Sequence, residues 1–128
     1  MSTKDLGNYG ELRFALISYE KGFSVLQSFS DSRPYDFVLE KAGRFLRVQV
    51  KTCGAPLDEK GCFRFGVGFG SSSKKMYTSE HTDLIACYIK CLDIFYLIPI
   101  HLIGTVTIRL RPFEEDSKFI TYKNNWNI

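Results

Sequence analysis

The stretch from Arg33 to Thr52 restricts most tightly how this chain can fold. Phe37 to Glu40 and Phe45 to Val50 are rich in β-branched and aromatic residues and alternate apolar with polar, the period of a strand with one buried face. Ala42 and Gly43 between them are short enough for a hairpin loop, and Gly43 is free to take a positive φ. If these two residues form the loop, Lys41 faces Arg44, and the same register sets Asp36 directly opposite Gln49. Lys51 joins that face by the period of two. Phe37, Leu39, Leu46, Val48 and Val50 then form an apolar face suited to packing on a helix. Asp36, Glu40, Arg47, Gln49 and Lys51 occupy the other, so only one face of the hairpin is expected to be a core face.

A carboxylate, an amide and an ammonium at one end of a hairpin suit phosphodiester chemistry. Asp36 offers a hard anionic oxygen to a divalent ion, Gln49 a neutral carbonyl oxygen, and the Val50 backbone carbonyl could complete the shell. Lys51 can orient an attacking water or neutralise charge building on a phosphate. The same Asp and Lys would equally serve as a surface ion pair on a solvent-facing strand.

Upstream, Leu12, Ala15, Leu16 and Tyr19 recur at helical spacing and predict a helix from about Tyr9 to Lys21, with Asn8 as N-cap and Gly22 as the residue that ends it. Glu11 then falls three residues after the cap, where a capping box would use it structurally. Phe23 to Phe29 reads as the first strand.

Downstream, Phe63-Arg64-Phe65 alternates like a strand. The Gly66-x-Gly68-x-Gly70 run is not a nucleotide-binding loop, because no helix pattern follows it. Ser71-Ser72-Ser73-Lys74-Lys75 reads as a flexible polar segment whose two cations could close on DNA phosphates, or as a plain solvated loop. Leu84 to Ile89 and Ile94 to Ile98 form a near-continuous apolar hairpin around Cys91-Leu92-Asp93, which is sheet core. His101 to Ile103 allows one helical turn. Thr105 to Leu110 alternates as an edge strand or arm with Arg109 and Arg111 exposed as candidate DNA contacts, and Pro112 ends it. The remaining tail mixes Lys118, Tyr122, Lys123, Asn124, Asn125 and Trp126, which suits contact with DNA or with a second subunit.

The chain has 128 residues, 45% hydrophobic and 15% aromatic, enough for one core and too few for two. A single domain over residues 1–128 is expected, its core at about 7–103 and a strand and tail at 104–128. A net charge of +3 permits a phosphate-binding face without demanding one. Met1 to Gly10 is polar and the apolar stretch at Ile94 to Ile103 is too short and interrupted to span a membrane, so a cytoplasmic protein without membrane contact is expected. Cys53, Cys62, Cys87 and Cys91 lack the spacing of a structural zinc site and have no His-Asp arrangement for nucleophilic work, so they read as reduced thiols rather than ligands acting with His81 or His101.

Pro34-x-Asp36 followed by Gln49-Val50-Lys51 resembles the signature of the PD-(D/E)XK nuclease superfamily, in which Asp sits on one hairpin strand and (D/E)-x-K on the next. The Gly7-x-x-Gly10-Glu11 start, the Gly22-Phe23 step, Arg47 to Thr52, and Lys75-Met76-Tyr77 before Asp83 are similar to small endonucleases related to cyanobacterial intron-encoded homing enzymes. The resemblance covers roughly residues 7 to 103. It implies an α/β fold with a mixed central sheet flanked by helices. It also implies a DNA endonuclease using Mg²⁺ or Mn²⁺, with Glu11, Asp36, Gln49 and Lys51 as catalytic residues and Asp36, Glu11, Gln49 and Val50 around the metal. A Holliday junction resolvase shares the scaffold, and a module that binds DNA without cutting it is the non-enzymatic alternative. The chain departs from the pattern in two ways: Tyr35 separates Pro34 from Asp36, and Gln49 stands where Asp or Glu is usual. One site per chain and two strands to cut predict a homo-oligomer acting on double-stranded DNA, and the homing relatives are tetramers.

Overall fold

The structure is a computed structural model that describes all of residues 1–128. One α-helix, α1 (Thr3–Glu20), precedes nine strands: β1 (Ser24–Gln27), β2 (Phe37–Lys41), β3 (Arg44–Cys53), β4 (Phe63–Gly66), β5 (Gly68–Phe69), β6 (Lys75–Met76), β7 (Leu84–Ile89), β8 (Ile94–Pro99) and β9 (Thr107–Leu110). Five strands form the central sheet in the order β1-β2-β3-β7-β8. Its β3–β7 pair is parallel and the other pairs are antiparallel, so the sheet is mixed. Pairs β4–β9 and β5–β6 form two smaller sheets.

The hairpin has the expected register, from Lys41 opposite Arg44 to Phe37 opposite Val48. Its loop takes positive φ at both Ala42 and Gly43, the geometry whose twist matches paired strands. The ladder stops one pair short of Asp36, however, so Asp36 does not lie directly across from Gln49. Its backbone N–H donates to the Val48 carbonyl at 2.8 Å instead. Beyond Val48, β3 has no β2 neighbour and is held only by β7, with Lys51 beside Cys87.

Helix α1 starts earlier than its sequence pattern suggested. Ser2, not Asn8, is the N-cap, its hydroxyl accepting the Asp5 N–H at 3.1 Å. Glu11 therefore lies in the middle of the helix and has no capping role. The helix ends as expected: Gly22 has φ +92°, and the Gly22 and Phe23 N–H groups donate to the Tyr19 and Ser18 carbonyls. The buried face is not the one expected. Gly10, Phe14 and Ser18 point at the sheet, while Leu12, Leu16 and Tyr19 are exposed. The reason is contact distance: Gly10 has no side chain, which brings α1 down onto Thr52 of β3 and turns the Leu12 stripe outward.

Two apolar clusters sandwich the sheet. On the helix side, Phe14 stacks on Phe37 and packs with Leu39, Val48, Val50 and Phe95, as the hairpin face predicts. On the other side, Ile85, Cys87, Ile89, Tyr96 and Ile98 pack against Phe63, Phe65, Ile108 and Leu110. The β7–β8 half of the sheet is thus buried on both faces, which accounts for its unbroken apolar run. The second face is covered by the β4–β9 ladder and not by further helices. β1 is shorter than expected, leaving residues 28–36 as a loop. The tail folds back on its own domain: Trp126 packs on Phe14 and Phe95, and Asn124 exchanges hydrogen bonds with the Phe95 backbone.

Candidate active site

The early end of the β2–β3 ladder makes the site. One oxygen of the Asp36 carboxylate accepts the Val50 N–H at 2.7 Å, taking the place of a strand partner at the position where β2 leaves β3. This holds Asp36 beside β3, just before the start of β2. Glu11 enters from α1, and both carboxylates line one cavity of about 400 Å³. Gln49 and Lys51 follow on β3, both half-buried. The Gln49 amide nitrogen lies 3.5 Å from the Val50 carbonyl oxygen, close to the backbone group expected to complete a metal shell.

The electrostatics tie these groups together. Burial pushes the Glu11 carboxyl above its ordinary value, and the charge on Asp36 raises it further. Asp36 is also raised, by burial, against the opposing pull of the Val50 hydrogen bond and of Lys51. Burial lowers the Lys51 ammonium; Asp36 counteracts this and Lys74 adds to it. Glu11 and Asp36 are two half-buried carboxylates lining one cavity, the charge on Asp36 raising Glu11, and a hard divalent cation beside them would relieve that repulsion. No three His, Cys, Asp or Glu residues cluster as metal ligands.

The raised Glu11 value has a consequence for stability. The folded chain holds the Glu11 proton more readily than the unfolded chain, so Glu11 lowers stability as pH rises from about 4.5 through its folded value, and the penalty persists above it. Glu11→Gln is expected to melt at a higher temperature than the parent at pH 7 in chelator, with the difference vanishing below pH 4.5. A Glu11→Gln variant less stable than the parent at pH 7 would contradict the burial and repulsion described.

Of the residues expected to meet DNA, Lys74 reaches the site edge, its ammonium donating to the Gly70 carbonyl at 2.6 Å. The polar segment before it is thereby the closed tip of the β5–β6 hairpin, and Lys75 is paired with Phe69 in that ladder. Arg109 is exposed on β9 opposite Arg64, and Arg111 is exposed 3.9 Å from Glu114. Arg109 lies on the small β4–β9 sheet and Arg111 just past its end, and neither lines the cavity with Glu11 and Asp36.

The alignment of residues on the hairpin missed two partners. Tyr77 is buried with its ring 5.5 Å from the Lys51 ammonium, and burial plus the Asp36 charge raise its phenol. Arg47 binds Asp83 through two nitrogens at 3.1 and 3.0 Å and donates to the Ser79 and Glu80 carbonyls, clamping the segment that carries Tyr77 onto β3. Alternation across Lys75-Met76-Tyr77 could have set Tyr77 on an inward face, but not beside Lys51.

The whole chain, residues 1–128, matches the sequence family described as PD-(D/E)XK endonuclease. The chain belongs to that family. Its fold is similar to a bacterial homing endonuclease, I-Ssp6803I, with a TM-score of 0.85 at 21% sequence identity, over 98% of this chain and 91% of that one. A comparison with curated proteins gave no match. As a PD-(D/E)XK endonuclease, the chain is a nuclease of a kind that acts on DNA. Pro34, Asp36, Gln49 and Lys51 stand in the order of the family signature, the first two in the loop just before β2 and the last two on β3. No helix is long and apolar enough to cross a membrane.

Proposed function

We propose that this PD-(D/E)XK chain is a site-specific, divalent-metal-dependent DNA endonuclease of the intron-homing kind. The observation that carries the reading is the meeting of Glu11, Asp36 and Lys51 at the one point where β3 loses its β2 partner. Glu11 and Asp36 would hold Mg²⁺ or Mn²⁺, with the Gln49 amide and the Val50 carbonyl as neutral donors. The ion, when bound, supplies a Lewis acid for the phosphate and lowers the pKa of water. Lys51 orients the attacking water and balances charge on the phosphoryl oxygens, and its burial next to Tyr77 keeps that ammonium from being dispersed into solvent. Both carboxylates must be ionised to hold the ion, so cleavage falls with decreasing pH at values above the ordinary carboxylate range.

Cleavage of duplexes carrying candidate intron-insertion sites, beside a four-way junction, tests the homing reading. Cutting of the junction alone would favour a Holliday junction resolvase, and binding without cutting a non-catalytic module. The homing reading draws support from the similarity in fold to a homing endonuclease.

Gln49→Glu supplies the carboxylate usual in the family. Its expected result is tighter Mg²⁺ or Mn²⁺ binding by calorimetry, together with lower stability in chelator, since a third anion joins two that already repel. Unchanged metal affinity would place the Gln49 side chain outside the metal shell.

A homo-oligomer, dimer or tetramer, is part of the proposal. Two strands require two sites, and the exposed Leu12, Leu16 and Tyr19 stripe of α1 offers a surface for a second copy. Light scattering should give a mass above one chain, reduced by Leu12→Glu with Leu16→Glu; a monomeric parent would refute it.

A further inference from the structure

The cavity that holds Glu11 and Asp36 extends well past them. Its far side is the loop between β1 and β2, with Gln27, Phe29, Arg33 and Tyr35 along the wall. Nothing in the hairpin chemistry uses these residues. Arg33, like Arg44, Arg64 and Arg109, makes no ion pair, and this holds although Asp31 lines the same cavity. Phe29 has 113% of its reference surface exposed, more than any other large apolar residue of the chain. The loop is not shapeless around it: the Ser30 N–H donates to the Ser28 hydroxyl and the Ser32 N–H to the Ser30 hydroxyl, both at 3.1 Å, which fixes Phe29 at a crest.

A free guanidinium, a phenol and a fully exposed phenyl ring around a polar cavity fit one class of ligand, a nucleotide unit with an anionic phosphate and an aromatic base. Arg33 suits the phosphate, which it can grip through two N–H groups, and Phe29 suits a base face or the gap between two base pairs. From this we infer that the 28–36 loop is a nucleotide-binding wall, in which Arg33 holds a backbone phosphate next to the scissile one and Phe29 stacks on or wedges beside a base. The inference rests on the DNA endonuclease reading above, and adds to it the group that grips the strand at the cut. The wall lies on the Asp36 side of the site and Lys74 on the Lys51 side, so the strand would be held from both sides of the reacting phosphate.

The two residues leave different signatures. The probe is a fluorescein-labelled DNA duplex of mixed sequence, bound to the full chain in chelator and titrated at several salt concentrations. Arg33→Gln should weaken binding and reduce the slope of log affinity against log salt by about 1, because one phosphate contact is lost. Phe29→Ala should weaken binding by roughly ten- to a hundredfold with the salt slope unchanged, because a stacking contact carries no charge. Phe29→Trp should restore affinity, and its added indole should be quenched on binding DNA, whereas the parent's sole Trp126, packed against Phe14 and Phe95, should not respond. Full exposure of Phe29 means that these changes leave folding intact. Unchanged affinity in Phe29→Ala with an unresponsive indole in Phe29→Trp would overturn the inference, as would a lowered oligomeric mass in Phe29→Ala with DNA affinity kept, which would make Phe29 a subunit contact. Plasmid nicking by the parent in Mg²⁺ is run in parallel. Phe29-dependent binding without nicking would sink the endonuclease reading and leave the wall standing; nicking with Phe29-independent binding would do the reverse.

Discussion

Asp36→Asn and Lys51→Ala are each expected to slow nicking of supercoiled plasmid in Mg²⁺ by at least about a hundredfold, the scale on which removing one preorganised charge acts. Asn is the informative replacement at position 36. Its side-chain oxygen can still accept the Val50 N–H, so the end of the β2–β3 ladder stays closed while the negative charge disappears. Asp36→Ala would remove both, and its activity loss would mix chemistry with the cost of an unpaired N–H, about 1–3 kcal/mol. Loss in Asp36→Asn without a fall in melting temperature would therefore assign the effect to charge. Lys51→Ala should likewise keep its fold, since burial already disfavours the ammonium. A parent that does not nick, or either variant nicking at the parental rate, would refute the assignment.

Gly10→Ala is expected to destabilise the chain by about 1–3 kcal/mol, although alanine is the better helix former by about 1 kcal/mol at an unconstrained position. A Cβ at Gly10 would lie 1.9 Å from the Thr52 hydroxyl oxygen and 3.1 Å from its Cβ. The Thr52 methyl group lies 3.3 Å away beside the hydroxyl, so both branches crowd that position, turning Thr52 does not clear it, and α1 must lift from β3. Glu11 is the next residue, and the same lift draws its carboxylate from Asp36, so cleavage should fall along with stability. The double variant Gly10→Ala with Thr52→Ala opens the space and should recover most of both. Thermal melts and plasmid nicking on the single and double variants read the result; a Gly10→Ala chain as stable as the parent would mean that α1 does not need this contact.

Much of the site could be read from local pattern. Two alternating runs separated by Ala42 and Gly43 determined the register of β2 on β3, because side chains repeat every two residues and a two-residue loop leaves no freedom to slip. That register put Gln49 and Lys51 on one face and the Phe37, Leu39 and Val48 core on the other. It erred at Asp36, where the backbone leaves the ladder and the carboxylate takes over a main-chain partner, an event no periodicity encodes. Helix α1 was legible as a helix but not in its start or orientation. Leu12, Leu16 and Tyr19 carry the apolar spacing, yet a glycine and a serine face the sheet, because close backbone approach there outweighs the burial of larger side chains. Trp126 and Asn124 looked available for partners and are used instead in closing the chain on itself.

The sequence by itself determined the hairpin, its two faces, the buried β7–β8 pair and membership of a nuclease family, since each depends on residues near one another in the chain or on their order. Only the tertiary structure decided that Glu11 meets Asp36, that Tyr77 lies over Lys51, and that the 28–36 loop lines the same cavity with Phe29 at its crest. Those contacts join elements far apart in sequence, and they depend on how closely α1 approaches β3 and where the β2–β3 ladder stops. Both are consequences of packing and of unpaired backbone groups finding partners, which act between elements and leave no local pattern to read.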